Sequence, residues 1–580
     1  MESSGFSRRW FFQGALLAGA IPVGGFGSTP SLSRAGFRSP NEKLNIASIG
    51  AGSQPFIGLR FAYNLGAENV TALADVDWER GAQGFNAFPK AAKYKDFRQM
   101  LDKSGKDIDC VIVGTPDHMH ATCALACMQM GKGVYVEKPL TRTAWEARLL
   151  TQAAEKYKVA TQMGNQGYSH DATRVACEII WSGEIGDVKE VHAWTGRSSW
   201  PQGMTKIPGP TAVPSVLDWD LWLGCAAARP YTAGDADYDA FTAARAAQFG
   251  RGSASGSTSQ AVGSNRPLGR VMTEEDPLNQ LAPQGGGFYM PWNWRGFYDF
   301  GTGLVGDWGI HIMGPANWAL QLHSKYLVSV ECVKKSELPP FTFPEELTVR
   351  FDFKERPGGM PPVSVYWYHG DGDHFLPPGM TADEARKIPN TGPQVGPAPG
   401  VRQQNQAAGG RGGAQQPGAG GRGGAPGAGG PGAGGRGAQA PAAGRSAQAR
   451  PQSGYNCIFA GTKGYLGTSG RGEGVGLLPG SRWADYKLPP AYLTRSPGAS
   501  FGPNQPAHMR DWLRACKGGV EACSHFGVAG PFAEWMILAA ASVHAEGKLM
   551  WDYEKCEVTN NREVNKWIRP AFRKGWELKL

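Results

Sequence analysis

The stretch Gly133-Val134-Tyr135-Val136-Glu137-Lys138-Pro139-Leu140 ends an apolar run on a carboxylate and an amine, then stops at a proline. A run of that length reads as a strand buried on both faces. A lysine at its carboxyl end stands where open α/β sheets bind their ligands. Far along the chain, Gly301-Thr302-Gly303-Leu304-Val305-Gly306-Asp307-Trp308-Gly309-Ile310-His311 sets a carboxylate and an imidazole four residues apart. On a helix these share one face. An amine, a carboxylate and an imidazole can together take a proton from a hydroxyl and steady the oxygen it leaves behind. The plainer alternative makes Asp307 a helix cap and His311 a core residue.

Two further stretches suggest what sits beside that chemistry. Ile46-Ala47-Ser48-Ile49-Gly50-Ala51-Gly52-Ser53-Gln54-Pro55 ends a strand in a glycine turn at the start of a helix, the arrangement that admits a pyrophosphate. Pro55 stands where the usual fingerprint has a third glycine. Asp75 closes the next strand, where a carboxylate accepts hydrogen bonds from ribose hydroxyls and repels a 2′-phosphate, with Asp77 a rival for the role. This favours NAD over NADP. Thr115-Pro116-Asp117-His118-Met119-His120 follows another strand end. Its plain reading is a helix start with Asp117 as cap and solvated histidines. No Cys or carboxylate lies at ligand spacing, so no metal is expected.

Periodicity supplies the elements that must hold these residues. Strands are predicted over 45–50, 69–76, 109–114, 133–138 and 159–163, with helices through 65 and over 97–104, 117–131 and 143–157. Alternation of this kind means βαβ units and a parallel sheet. After 167 one helix (171–182) precedes strands at 188–195, 327–333, 347–353, 363–368 and 456–461. Without crossover helices these imply an antiparallel sheet with one wet face. Helices return at 505–517 and 530–546. The expected fold is α/β plus α+β: a doubly wound parallel sheet over 43–167, and a C-terminal domain over 168–580 with a mainly antiparallel sheet. Residues 233–285 read as a weak insert. Residues 394–452, mainly Gly, Ala, Pro, Arg and Gln, cannot bury enough apolar surface to offset chain entropy.

The chain has 580 residues and a net charge of +9. Arg8, Arg9, Arg34, Arg38 and Lys43 against Glu2 and Glu42, with six arginines and no acid over 394–452, account for all of it. The remainder is neutral, so a nucleic-acid footprint is not expected. Ser7-Arg8-Arg9-Trp10-Phe11-Phe12 ahead of a short apolar stretch resembles a twin-arginine export signal over 1–42, implying a periplasmic or extracellular protein. No segment reaches membrane-spanning length. The ten dispersed cysteines form no Cys-x-x-Cys pair and are expected to be mostly free, buried thiols.

In order, "SIGAG", "ALADV", "TPDHMH", "VEKPL" and "GDWGIH" closely resemble the glucose–fructose oxidoreductase/inositol dehydrogenase/MocA family. That resemblance implies a Rossmann domain and a second domain whose open sheet covers the active site and mediates homo-oligomers. It implies that Lys138 and His311 are catalytic with Asp307 beside them, and that Glu137 lies near the nicotinamide ribose. The expected cofactor-facing set is Gly50, Gly52, Ser53, Gln54, Asp75, Thr115, Pro116, His118, His120, Glu137, Lys138 and Asn165. Trp292, Trp294 and Arg295 are expected to line a sugar or polyol pocket. "DWDLWLG" and "WNWRGFYDFGTG" resemble the exported subgroup, while Gly314 departs from an Asp often found there. The implied activity is NAD-dependent oxidation of a secondary hydroxyl. One alternative is a glycosidase or lyase working through transient oxidation; another is a non-catalytic sugar-binding protein.

Overall fold

The apolar runs at the start of the chain become six parallel strands: β1 (Asn45–Ile49), β2 (Asn69–Ala74), β3 (Ala92–Tyr94), β4 (Cys110–Val113), β5 (Gly133–Val136) and β6 (Thr161–Met163). Their spatial order is β3-β2-β1-β4-β5-β6, so the topological switch falls between β1 and β4, where such sheets open a crevice. The computed structural model describes residues 43–196, 198, 200–248, 288–370, 374–387, 392, 393, 395, 454–495 and 505–580. The expected export signal lies outside these residues, as does all of the 394–452 insert but residue 395. The other insert begins with a helix, Ala236–Gln248, which the sequence reading did not anticipate; residues 249–285 of it lie outside.

One helix of the first domain, Trp78–Ala87, was not predicted. Gly81 and Gly84 weaken its helical signal, yet the fold needs them. A β-carbon on Gly84 would stand 2.5 Å from the Ala51 carbonyl oxygen. Asp77 caps this helix, accepting from the amides of Glu79 and Arg80, so the rivalry with Asp75 is resolved by local structure. Pro55 is accommodated in a similar way. A β-carbon on Gly114, at the end of β4, would lie 2.6 Å from the Pro55 Cβ. The helix Ser53–Tyr63 approaches the sheet closely because the glycine is on the strand and the proline on the helix.

The second sheet joins β7 (Val188–Thr195), β8 (Leu327–Lys335), β9 (Leu347–Phe353), β10 (Val363–His369), β11 (Tyr455–Gly461), β12 (Gly464–Ser469), β13 (Val475–Leu478), β14 (Lys548–Asp552) and β15 (Glu557–Val558). The order is β13-β12-β11-β7-β10-β9-β8-β14-β15, antiparallel except for the β7–β10 pair. Strands β9 and β10 alternate buried and half-buried residues, giving the one wet face expected of this sheet. Strands β12 to β15 escaped prediction, being short and glycine-bearing or close to the chain end. The helix Phe526–Ser542 packs on Ala144–Tyr157, where Arg148 grips Glu534 through bonds of 2.6 and 2.8 Å. All ten cysteines are free, six of them buried. Among the described residues no helix is long and apolar enough to cross a membrane.

Gly114→Ala should destabilise the protein by about 1–3 kcal/mol, the usual penalty for overpacking, and adding Pro55→Gly should recover part of it. Chemical denaturation of the two variants checks this; an unchanged Gly114→Ala midpoint would show that the strand and helix have room to part.

Candidate active site at the head of the parallel sheet

A cleft opens over the carboxyl ends of β1, β2, β4 and β5. Its walls include Gly50, Gly52, Ser53, Gln54, Asp75, Thr115, Pro116, His120, Glu137 and Lys138, together with Trp292, Trp294 and Arg295 from the second half of the chain. At one end Asp75 accepts the amides of Ala51 at 2.8 Å and Asp77 at 3.0 Å. Burial pushes its carboxyl up to about 6. Gly52 is required by its neighbour: a β-carbon there would meet the Arg80 carbonyl oxygen at 2.2 Å. Of the first helical amides, which have no partner within a helix, that of Ser53 goes to Gln83 at 2.9 Å and Pro55 has none. The Gln54 amide remains among the donors that a phosphate could use there. The glycine turn, the helix start and the carboxylate at the end of β2 together fit a dinucleotide.

At the other end lies a buried cluster of charge, of which Lys138 and Arg295, but not Asp307 or His311, belong to the cleft wall. Lys138 Nζ stands 2.5 Å from Asp307 Oδ1, and Arg295 Nε donates to the same oxygen at 2.9 Å. Burial alone would raise the Asp307 carboxyl, but Lys138 and Arg295 outweigh it and hold it well below the usual range. Burial lowers Lys138 despite Asp307. The plainer reading of Asp307 as a cap therefore gives way to a shared counter-ion. The segment is two short helical turns, Gly303–Asp307 and Gly309–Ile312, broken at Trp308. His311 is buried in the second turn. Burial, then Lys138 and Arg471, hold its imidazole well below its ordinary pKa, hence neutral. Its Nδ1 is enclosed without a hydrogen-bond partner.

The flanks of the cluster are held by contacts between the two halves of the chain. The Asp117 side chain is buried, neither capping its helix nor solvated, and Thr302 Oγ1 donates to its Oδ2 at 3.0 Å. Burial, opposed by Arg295, pushes Asp117 up to about 8. Glu137 is pushed up to about 7 by burial, against the pull of Lys138, and accepts Gln54 Nε2 at 3.4 Å. His120 lines the cleft and ties the two strand ends together, with Nε2 2.8 Å from the Thr115 carbonyl and Nδ1 3.4 Å from that of Pro139. Burial lowers it to about 4. Arg295 lies over three indoles, with its guanidinium carbon 4.1 Å from Trp294, 4.8 Å from Trp292 and 5.7 Å from Trp200.

Two expected cofactor contacts are not among the cleft walls. His118 is buried between Trp222 and Phe300, its Nε2 3.0 Å from the Trp222 carbonyl oxygen. Asn165 accepts Ser524 Oγ at 2.6 Å in the interior. Both follow strand ends in sequence, but tertiary packing turns them away. The sequence reading missed Trp222, Met290 and Trp576 in the cleft wall. It also missed Arg471, on the turn after β12, whose guanidinium lies 5.4 Å from the Trp308 ring and whose charge reaches His311. Nothing local marks these residues. Among the described residues no group of three or more His, Cys, Asp or Glu side chains could hold a metal.

Residues 44–165 match the GFO_IDH_MocA family. Its description is an oxidoreductase family with an NAD-binding Rossmann fold. An inositol 2-dehydrogenase of Rhodococcus erythropolis is 29% identical over 168 residues, covering 28% of this chain and 48% of the relative. A levoglucosan dehydrogenase of Pseudarthrobacter phenanthrenivorans is 28% identical over 116 residues, covering 20% and 29%. The chain thus spans about half or less of the curated relatives it matches. A solved levoglucosan dehydrogenase in complex with NADH and levoglucosan shares 16% identity and a TM-score of 0.45, over 88% of this chain and 99% of that one. The first domain has an NAD-binding Rossmann fold.

The buried Asp117 carboxyl gives a pH test with a definite sign. Its folded pKa lies above the unfolded value, so its stabilising contribution is complete below the unfolded pKa and is lost as pH rises toward 8. Relative to the native protein, Asp117→Asn should therefore gain thermal stability steadily between pH 5 and about pH 8. A melting temperature of the variant that stays constant or falls relative to the native protein over this range would show Asp117 ionised in the fold.

Proposed function

We propose that the chain is an exported NAD-dependent oxidoreductase acting on a secondary hydroxyl of a sugar, glycoside or polyol. The observation that carries this reading is the Lys138–Asp307 pair at 2.5 Å beside the cleft, with the neutral His311 one turn further along. Dehydrogenase relatives named for inositol and levoglucosan support the substrate class. Export rests on Arg8-Arg9 and the short apolar stretch behind them. Gly50, Gly52, Gln54 and Asp75 would hold a nicotinamide dinucleotide, which would supply a hydride acceptor for the carbon that bears the hydroxyl.

The chain's own residues handle the proton and the oxygen. Lys138 donates an N–H to the substrate oxygen and stabilises alkoxide character as the proton leaves. His311 accepts that proton on Nε2, since Nδ1 is sealed in. In this tautomer the ring's existing proton sits on Nδ1 without an acceptor among the described residues, at a cost of about 1–3 kcal/mol. Asp307 compensates both the lysine and the imidazolium that forms; its charge already favours protonated His311. Trp292 and Trp294 offer aromatic faces to a sugar ring, with Arg295 between them and the shared carboxylate. Asp75 favours NAD over NADP, because the Arg80 charge at that end is matched by Asp77 at 3.2 Å.

The test is to purify the protein, denature it, identify the released nucleotide by mass spectrometry, and then screen glycosides and polyols for a carbonyl product. Released NAD(H) and a carbonyl product are expected, with turnover falling about 10²–10⁴-fold in His311→Ala. A cleaved glycoside with the nucleotide's redox state unchanged would point to elimination instead. Absence of nucleotide, or full turnover in His311→Ala, would overturn the assignment.

A further inference from the structure

A second cavity, of about 680 Å³, lies at the other end of the nine-stranded sheet and shares no lining residue with the cleft. It is walled by the end of the helix Asp171–Trp181, the start of β7, Leu320 and Gln321, the turn between β9 and β10, and Thr462 and Lys463 between β11 and β12. Its volume falls in the range of small-molecule sites. Much of the wall is apolar, including Ile180, Trp181, Met360 and Pro361.

Arg356 puts a buried charge into that wall. The residue is 3% exposed, and the amide–carbonyl bond from Arg356 to Met360, 3.0 Å, closes the turn that carries it. Its Nε donates to the Leu320 carbonyl at 2.9 Å and its Nη1 to that of Lys354 at 3.2 Å. Nη2 has no acceptor among the described residues and is not enclosed, so it opens toward the cavity. No carboxylate of the described residues pairs with this guanidinium. Burial alone pushes its pKa down to about 10. Among the described residues the only acid in the cavity wall, Asp187, is exposed and pairs with Lys189 at 3.3 Å. The Leu320 carbonyl ends a short helix, Gly314–Ala319, whose C-terminal partial charge is at most about half a unit. A buried cation that lacks a counter-ion is costly, and half a charge leaves much of that cost in place.

We propose that this cavity is a second ligand site for a small organic acid, its carboxylate bound end-on by Arg356 and its body held among Ile180, Trp181, Met360 and Pro361. A planar carboxylate matches the free edge of the guanidinium. One negative charge balances the site, whereas a doubly charged phosphate would exceed it. Lys463, exposed at the rim, draws the anion in. The site is independent of the hydride chemistry proposed for the cleft.

Isothermal titration of the full chain with sodium glucuronate, glucose and inorganic phosphate at constant ionic strength tests this. Saturable binding of glucuronate is expected, with phosphate much weaker, and with glucose much weaker once Lys138→Met has altered the cleft. Loss of the charge-assisted bond in Arg356→Gln should weaken glucuronate roughly tenfold or more. Lys463→Glu, at the exposed rim, should weaken it severalfold without disturbing the fold, and decides the matter if Arg356→Gln fails to fold. Lys138→Met, altering only the cleft, should leave glucuronate binding intact. The proposal is overturned if glucuronate does not saturate, if Lys463→Glu and any folded Arg356→Gln bind it normally, if phosphate binds as well, if glucose binds Lys138→Met as well as glucuronate does, or if Lys138→Met abolishes glucuronate binding.

Discussion

Two cations share one buried carboxylate at the seam between the parallel and the mixed sheet. Lys138 is fixed by the end of β5, Arg295 by a single 3-10 turn among three indoles, and Asp307 by a short helical turn. None of these elements is long enough to define a position by itself. What fixes them is the cost of leaving any one charge unmatched in a dry interior, which exceeds what a surface ion pair is worth. The surrounding contacts between the two halves serve the same alignment. Thr302 donates to Asp117, Arg142 reaches the Tyr298 carbonyl, and Arg148 grips Glu534.

The same burial sets the protonation pattern. Water exclusion pushes Asp117 and Glu137 toward their neutral forms and the imidazoles of His118, His120 and His311 likewise. Asp307, held between two cations, moves the other way. The site therefore holds a neutral imidazole within electrostatic reach of an ammonium whose charge is compensated. That combination can accept a proton from a hydroxyl while stabilising the oxygen left behind.

Much of the parallel sheet was legible because its signals are local: apolar runs of strand length, glycine turns and helices of ordinary period. The same holds for Lys138, Asp307 and His311, whose residue types stand out in short motifs. Harder to read were features set by packing at a distance. Gly81 and Gly84 look like helix breakers until the helix is seen lying against the turn at Ala51. His118 and Asn165 follow strand ends as ligand-binding residues do, yet the second half of the chain buries them away from the cleft wall. Arg471 comes from a hairpin beyond the long low-complexity stretch, so no spacing could connect it with His311. The parallel β7–β10 pair was equally hidden, because strand direction depends on the path between strands rather than on their composition.

The shared carboxylate can be tested by a double-mutant cycle on Lys138→Met and Asp307→Leu, read by urea unfolding at pH 7. Asp307→Leu alone should cost about 3–5 kcal/mol, because it strands two buried cations. Lys138→Met alone should cost less, since Arg295 still meets the carboxylate. In the double variant the loss should fall short of the sum by more than about 1 kcal/mol. Losses that add within about 0.5 kcal/mol would mean that the amine and the carboxylate do not depend on one another, contrary to the account given.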